Sequence, residues 1–206
     1  MKFTFVADPK SLLSADHLLV LASASDFGPR SQFRSKLEKL LNKELASLAF
    51  DLGKRANVGL LGGNSTSLTK DGKRLTIGVL PAKVSRHAST SRAESIRKLT
   101  AACGLSASAS NAVLLILDAE DHQLAACNAI GRALPDFSMK SRRKSGGTVK
   151  IACALNVGKF LKADAKTKDV VERSREAARC QPPCVPEAAR RCSNGLCERR
   201  KAMHLE

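Results

Sequence analysis

Residues 75–91 read LTIGVLPAKVSRHASTS, and the fold follows from how that stretch is parsed. Residues 75–80 form a short, mostly apolar run bounded by Pro81, the pattern of a strand that a proline brings to an end. A basic loop with Lys83, Arg86 and His87 comes next. Ser91 and Glu94 then stand at the spacing of a capping box, in which two side chains satisfy the free amides of a helix start. The helix so predicted carries Ile96, Leu99 and Cys103 on one face and stops at Gly104.

Downstream, the same alternation repeats. Residues 106–111 are a Ser/Ala-rich stretch expected to be a surface loop. Residues 112–117, AVLLIL, are apolar throughout, as expected of a central strand covered on both faces. Residues 118–121 lead into a helix bearing Leu124, Cys127, Ile130 and Leu134, closed by Pro135. A basic, glycine-containing loop (138–147), a strand (148–155) and a last helix (about 165–179) complete the series. Val170, Val171, Ser174 and Ala178 mark the packing side of that helix. Strand, helix, strand, helix, strand, helix predicts a largely parallel sheet sandwiched by helices.

Upstream, residues 2–6 and 17–22 read as strands. Pro29-Arg30-Ser31 opens what reads as one helix to about residue 50, with Leu37, Leu41, Leu45 and Leu48 at helical spacing. Residues 51–73 are rich in Gly, Ser, Asn and Thr, a loop by composition, ending in the turn signal Asp71-Gly72. The expected fold is α/β: one three-layer domain over residues 1–178, with a mixed, largely parallel sheet between helices. Residues 179–206 hold four of the seven cysteines and no apolar period, so they read as an irregular Cys/Arg-rich tail.

Bulk composition narrows the function. The net charge of +16 points to acidic partners, nucleic acid among them. That charge is spread along the chain, and with only seven Phe and neither Trp nor Tyr the aromatic interleaving of base-stacking proteins is missing. No segment approaches the roughly 20 apolar residues of a membrane span. Residues 1–9 resemble a first strand more than a secretory signal. An odd cysteine count, with Cys103, Cys127 and Cys153 inside apolar periods, suits reduced buried thiols, a reducing compartment and a cytoplasmic location.

Candidate chemistry is thin. Cys180, Cys184, Cys192 and Cys197 supply four thiolates, but only seven residues separate the two pairs, short for a zinc module. Residues 59–65, GLLGGNS, lack the Gly-Lys-Ser/Thr ending of a phosphate loop. His87 has no second histidine at ligand spacing, and His17, His122 and His204 stand alone. The run Lys140 to Lys144 reads as an exposed loop beside Gly146 and Gly147. No catalytic, metal or cofactor-binding residue is assigned.

Residues 80–89, LPAKVSRHAS, resemble the matching segment in the probable-aminopeptidase branch of the leucine aminopeptidases. So do Ala126-Cys127, Arg132-Ala133, Pro135 and Phe137, with agreement in order and spacing over residues 75–178. The resemblance implies the amino-terminal α/β domain of a hexameric enzyme that removes amino-terminal residues from peptides with two divalent metals, zinc or manganese. In that family the catalytic half holds the metals, and this domain contributes to subunit contacts and access to the active site. The family's ligand signature, Asn-Thr-Asp-Ala-Glu-Gly-Arg, does not occur in the sequence. The expectation is therefore a catalytically silent domain, binding no metal itself, whose partners are its own copies or full-length aminopeptidase subunits. Its end, from about Cys180, reads as frame-altered, so a truncated product is expected. The alternatives are a basic α/β module that binds nucleotide or nucleic acid, and a regulatory subunit of aminopeptidase hexamers.

Overall fold

The computed structural model describes residues 1–28, 31–83, 90–106, 108–134, 147–155 and 158–180. His87, the basic run 140–144 and the cysteines Cys184, Cys192 and Cys197 lie outside them. Two strands set the centre. β2 (His17–Ser23) is buried along its whole length, and β5 (Ser110–Leu117) from Asn111 onward. Because successive side chains of a strand point to opposite faces, Leu18, Val20, Ala22, Leu114 and Ile116 fall on one side of the sheet. Leu19, Leu21, Val113, Leu115 and Leu117 fall on the other.

The first face is covered by α1 (Pro9–Leu13), a 3-10 turn (Ala24–Phe27), α2 (Phe33–Leu40) and α3 (Lys43–Arg55). These bring Leu12, Phe27, Phe33, Leu37 and Leu52 onto the sheet. The second face is covered by α4 (Ala93–Ala102), α5 (His122–Ala133) and α6 (Ala165–Cys180), through Ile96, Leu99, Cys127, Ile130 and Val171. Around the central pair stand β1 (Lys2–Phe5), β3 (Gly63–Leu68), β4 (Arg74–Leu80), β6 (Thr148–Leu155) and β7 (Phe160–Leu161). The order is β1-β6-β5-β2-β4-β3, with β7 also on β6. The ladders β1–β6, β6–β5, β5–β2 and β2–β4 are parallel, while β3–β4 and β7–β6 are antiparallel. This is the three-layer α/β architecture expected from residues 75–178. Within the quoted stretch, Gly78 earns its place by close approach: a Cβ there would sit 2.3 Å from the Leu21 side chain.

Several local expectations are corrected. The helix read across residues 31–50 is two helices. Leu41 is extended, and the Asn42 side chain caps α3 by accepting the Leu45 N–H at 2.8 Å. A side chain that bonds so well to a helix start competes with helix continuation, which the leucine spacing alone did not reveal. α3 also runs past residue 50 to Arg55. The loop read over residues 51–73 contains β3, a polar edge strand, although its closing turn at Asp71-Gly72 is as read, with Gly72 at φ +74°.

The capping box is not formed. Arg92 caps α4 from a left-handed conformation, and Glu94 pairs with Arg97 at 2.7 Å instead. Ser110 and Asn111, read as loop, begin β5. Asn111 is fully buried, and its Nδ2 donates to the carbonyls of Ser106, Ala109 and Thr148. β7 was not anticipated. On α6, Val171 packs as expected, but the unexpected buried residue is Arg175, lying over the Phe3 ring and donating to Met1 O at 2.6 Å.

Candidate functional site

In open α/β sheets, ligands favour the crevice at the carboxyl ends of the strands, where the strand order reverses. Here that place lies beside β2: the chain leaving β2 passes to the helices of the first face, whereas the chains leaving its neighbours β4 and β5 pass to those of the second. The chain leaving β4 through Pro81 returns at Thr90, and Arg92 reaches back across the gap. Its Nε donates to Pro81 O at 2.7 Å, and one terminal nitrogen meets Asp118, just past β5, at 2.6 Å. Longer contacts run to Ala82 O and Thr90 O. Thr90 Oγ1 lies 3.1 Å from His122 Nε2 at the start of α5.

Arg92 has φ +51°, the left-handed region that disfavours a residue with a Cβ by about 1–2 kcal/mol. Its guanidinium bonds hold it there. The geometry is a clasp: one cation ties the ends of β4 and β5 together, and Asp118 is occupied in holding it. Sequence reasoning passed over Arg92 as a capping-box spacer. The signal available was Asp118, a carboxylate placed directly after a wholly apolar strand.

A second polar cluster sits at the opposite end of the sheet. Buried His17 Nε2 is 2.9 Å from Thr76 Oγ1, which is 2.9 Å from Thr66 Oγ1. Burial, with the nearby Arg74 charge, lowers the His17 pKa to about 4, so the ring is neutral at pH 7. It links three neighbouring strands.

The buried thiols behave as expected. Cys103, Cys127 and Cys153 are unbridged. Cys103 donates to Thr100 O at 2.9 Å, and burial pushes its thiol up to about 11. Cys127 lies 3.4 Å from Cys153, and that contact together with burial raises its pKa far above the ordinary thiol range. Cys103 and Cys127 therefore stay protonated at neutral pH, unlike reactive thiolates.

Among the described residues, two clefts stand out. One, of about 290 Å³, lies under the β3–β4 hairpin, with Leu12, Leu45, Leu48 and Leu75 in its walls. Its rim carries the Lys70–Glu44 ion pair at 2.6 Å. The other, of about 180 Å³, lies beside β1, β6 and β7. Residues 59–65 make a tight turn, with paired bonds between Gly59 and Gly62, and run into a strand rather than a helix. They form no phosphate cradle of the P-loop type.

The described residues do not fit the two-metal centre that the resemblance implies. Among them no three His, Cys, Asp or Glu side chains gather closely enough to hold an ion. Nor is any described helix long and apolar enough to cross a membrane.

The fold is that of the amino-terminal α/β domain of leucyl aminopeptidases. A leucyl aminopeptidase from Leishmania major superposes with TM-score 0.62 at 19% identity, over 89% of this chain and 36% of its own. One from Trypanosoma brucei gives 0.60 at 18%, over 87% and 36%. A leucine aminopeptidase from Caenorhabditis elegans gives 0.55 at 14%, over 87% and 35%. The chain thus spans little more than a third of the length of these enzymes. No curated protein sequence matches it. The family model for M17 aminopeptidase N-terminal domain 2 matches residues 33–143, and the chain belongs to that family. The match begins well before residue 75, where the legible resemblance started, and takes in α2, α3 and the β3 hairpin.

Proposed function

We propose that this chain is a non-catalytic amino-terminal domain of the M17 aminopeptidase type, acting through contacts with aminopeptidase subunits rather than by cleaving peptides itself. Residues 1–178 would form the working unit. The single observation that carries this reading is a family match confined to the amino-terminal domain, on a chain whose described residues assemble no metal-capable donor set. Hydrolysis of a peptide bond by paired metals needs several ligands arranged around both ions. The clasp at Arg92 supports a scaffolding role, since it fixes the strand ends where an α/β enzyme would place its chemistry.

The test is direct. Purified chain is incubated with leucine amide, with and without added zinc or manganese, and is expected to give no turnover above buffer. It is then mixed with a full-length leucyl aminopeptidase, and co-elution on size exclusion is expected. Hydrolysis by the chain alone would overturn the reading, as would elution of the two proteins as separate species.

A further inference from the structure

Among the described residues, nothing pairs with the outer edge of β3. The parity of its inner ladder shows which groups face outward. Thr69 N–H donates to Lys73 O at 2.8 Å, so these two form a hydrogen-bonded pair at the mouth of the hairpin. Stepping along the register, Ser67–Leu75, Ser65–Ile77 and Gly63–Val79 are the other hydrogen-bonded pairs. The backbone N–H and C=O of Asn64, Thr66 and Leu68 therefore point away from β4. Two contacts agree. The hydroxyls of Thr66 and Thr76 meet at 2.9 Å, as in the closer, non-hydrogen-bonded kind of pair. Arg74, opposite Leu68, turns its own N–H to Asp16 O on the other side of β4. Asn64, Thr66 and Leu68 are all exposed.

This edge is self-complementary. An antiparallel copy centred on Thr66 sets Thr66 against its counterpart and Asn64 against Leu68 in both directions. All three are outward-facing residues, so each pair exchanges two N–H···O bonds. The strand carries neither proline nor a charged side chain, two of the usual protections of an edge.

Charge names the occupant. Two copies of a chain carrying +16 repel over most of their surfaces. Residues 56–69 contain no charged side chain, so here two copies meet without that penalty. Apolar side chains also lie ready: Leu60 is 97% exposed and Leu68 66%. A two-fold axis at Thr66 brings Leu68 of each copy to the Gly63 end of the other, where Leu60 and Leu61 lie.

We propose that the chain pairs with a second copy of itself through β3, in antiparallel register centred on Thr66, joining the two sheets into one. The inference deepens the subunit-contact part of the function proposed above and rests on it.

Sedimentation velocity of the full chain tests it. A reversible dimer with a dissociation constant on the order of micromolar is expected. Thr66→Pro removes an outward N–H without touching the β4 ladder, and should weaken association about tenfold or more while the circular dichroism is kept. Asn64→Lys with Leu68→Lys sets like charges opposite each other twice and should give monomer. Asn64→Lys with Leu68→Glu sets opposite charges in the same places and should restore the dimer. If the proline variant fails to fold, the two charge variants decide the matter. A wild-type chain that stays monomeric at about a hundred times that constant overturns the proposal. So does a dimer indifferent to the double lysine, and so does failure of the Lys/Glu variant to re-associate. Loss of self-pairing alongside retained binding to a leucyl aminopeptidase sinks this inference only; leucine-amide turnover sinks the functional reading.

Discussion

β5 and β3 belong to one sheet and could hardly differ more. β5 is apolar from Ala112 onward, parallel to both neighbours and buried on both faces; β3 is polar, antiparallel to a single partner, and alternates exposed and half-buried residues. β5 is held by what its side chains escape, since burying one leucine is worth about 1.5–3 kcal/mol. β3 is held by a turn: Asp71-Gly72 folds the chain back, and the backbone ladder on β4 follows. One sheet thus combines a strand fixed by the solvent with a strand fixed by its connection.

That contrast can be broken from the strong side first. Leu114→Ala in fully buried β5 should cost about 3–5 kcal/mol, read as a lower urea midpoint with unchanged slope. A loss below about 1 kcal/mol would mean that β5 is not the centre of the core.

The next effect lies where the two regimes meet, at the His17–Thr76–Thr66 chain that links β2 to β3 through β4. The folded His17 pKa of about 4 lies below its ordinary 6.5. The unfolded state therefore binds the proton more readily, and stability rises with pH between those values. The His17 contribution is complete above about pH 6.5 and is lost as pH falls toward 4. Its size is on the order of 3 kcal/mol. Urea unfolding across that window should show a steeper loss for the wild type than for His17→Gln. Parallel profiles would mean that the ring already accepts a proton in the fold.

The smallest effect belongs to the edge. Leu68→Ala, at a largely exposed position, should change the stability of the isolated chain by less than about 0.5 kcal/mol. A large loss would show that β3 is packed as a core strand and would erase the comparison.

The sequence was legible wherever apolar pattern alone settles a structure. Continuous runs at residues 17–22, 75–80 and 112–117 gave three strands, and helical spacing at Ile96, Leu99, Cys103, Cys127 and Ile130 gave the helices that cover them. The burial of Cys103, Cys127 and Cys153 came from the same signal. Reading failed where a polar side chain decides between local alternatives. Asn42 breaks a run of leucines by capping a new helix, and Asn111 buries itself in a stretch that looks like loop. Arg92 takes a left-handed backbone that no propensity suggests, because Pro81, Ala82 and Asp118 lie within its reach.

The chain's own order of residues was enough to determine the layered α/β class and its largely parallel sheet, because burial follows the period of apolar side chains; the likeness to an aminopeptidase domain rested on the particular residues of 80–89 and 126–137. Only the tertiary structure decided that β3 exists as an edge, that Arg92 clasps two strand ends, and that His17 is held neutral. The last two outcomes depend on which polar groups meet across 26 and 59 residues of chain, a distance over which no local pattern carries information, and the first on which neighbour the hairpin strand finds on its far side.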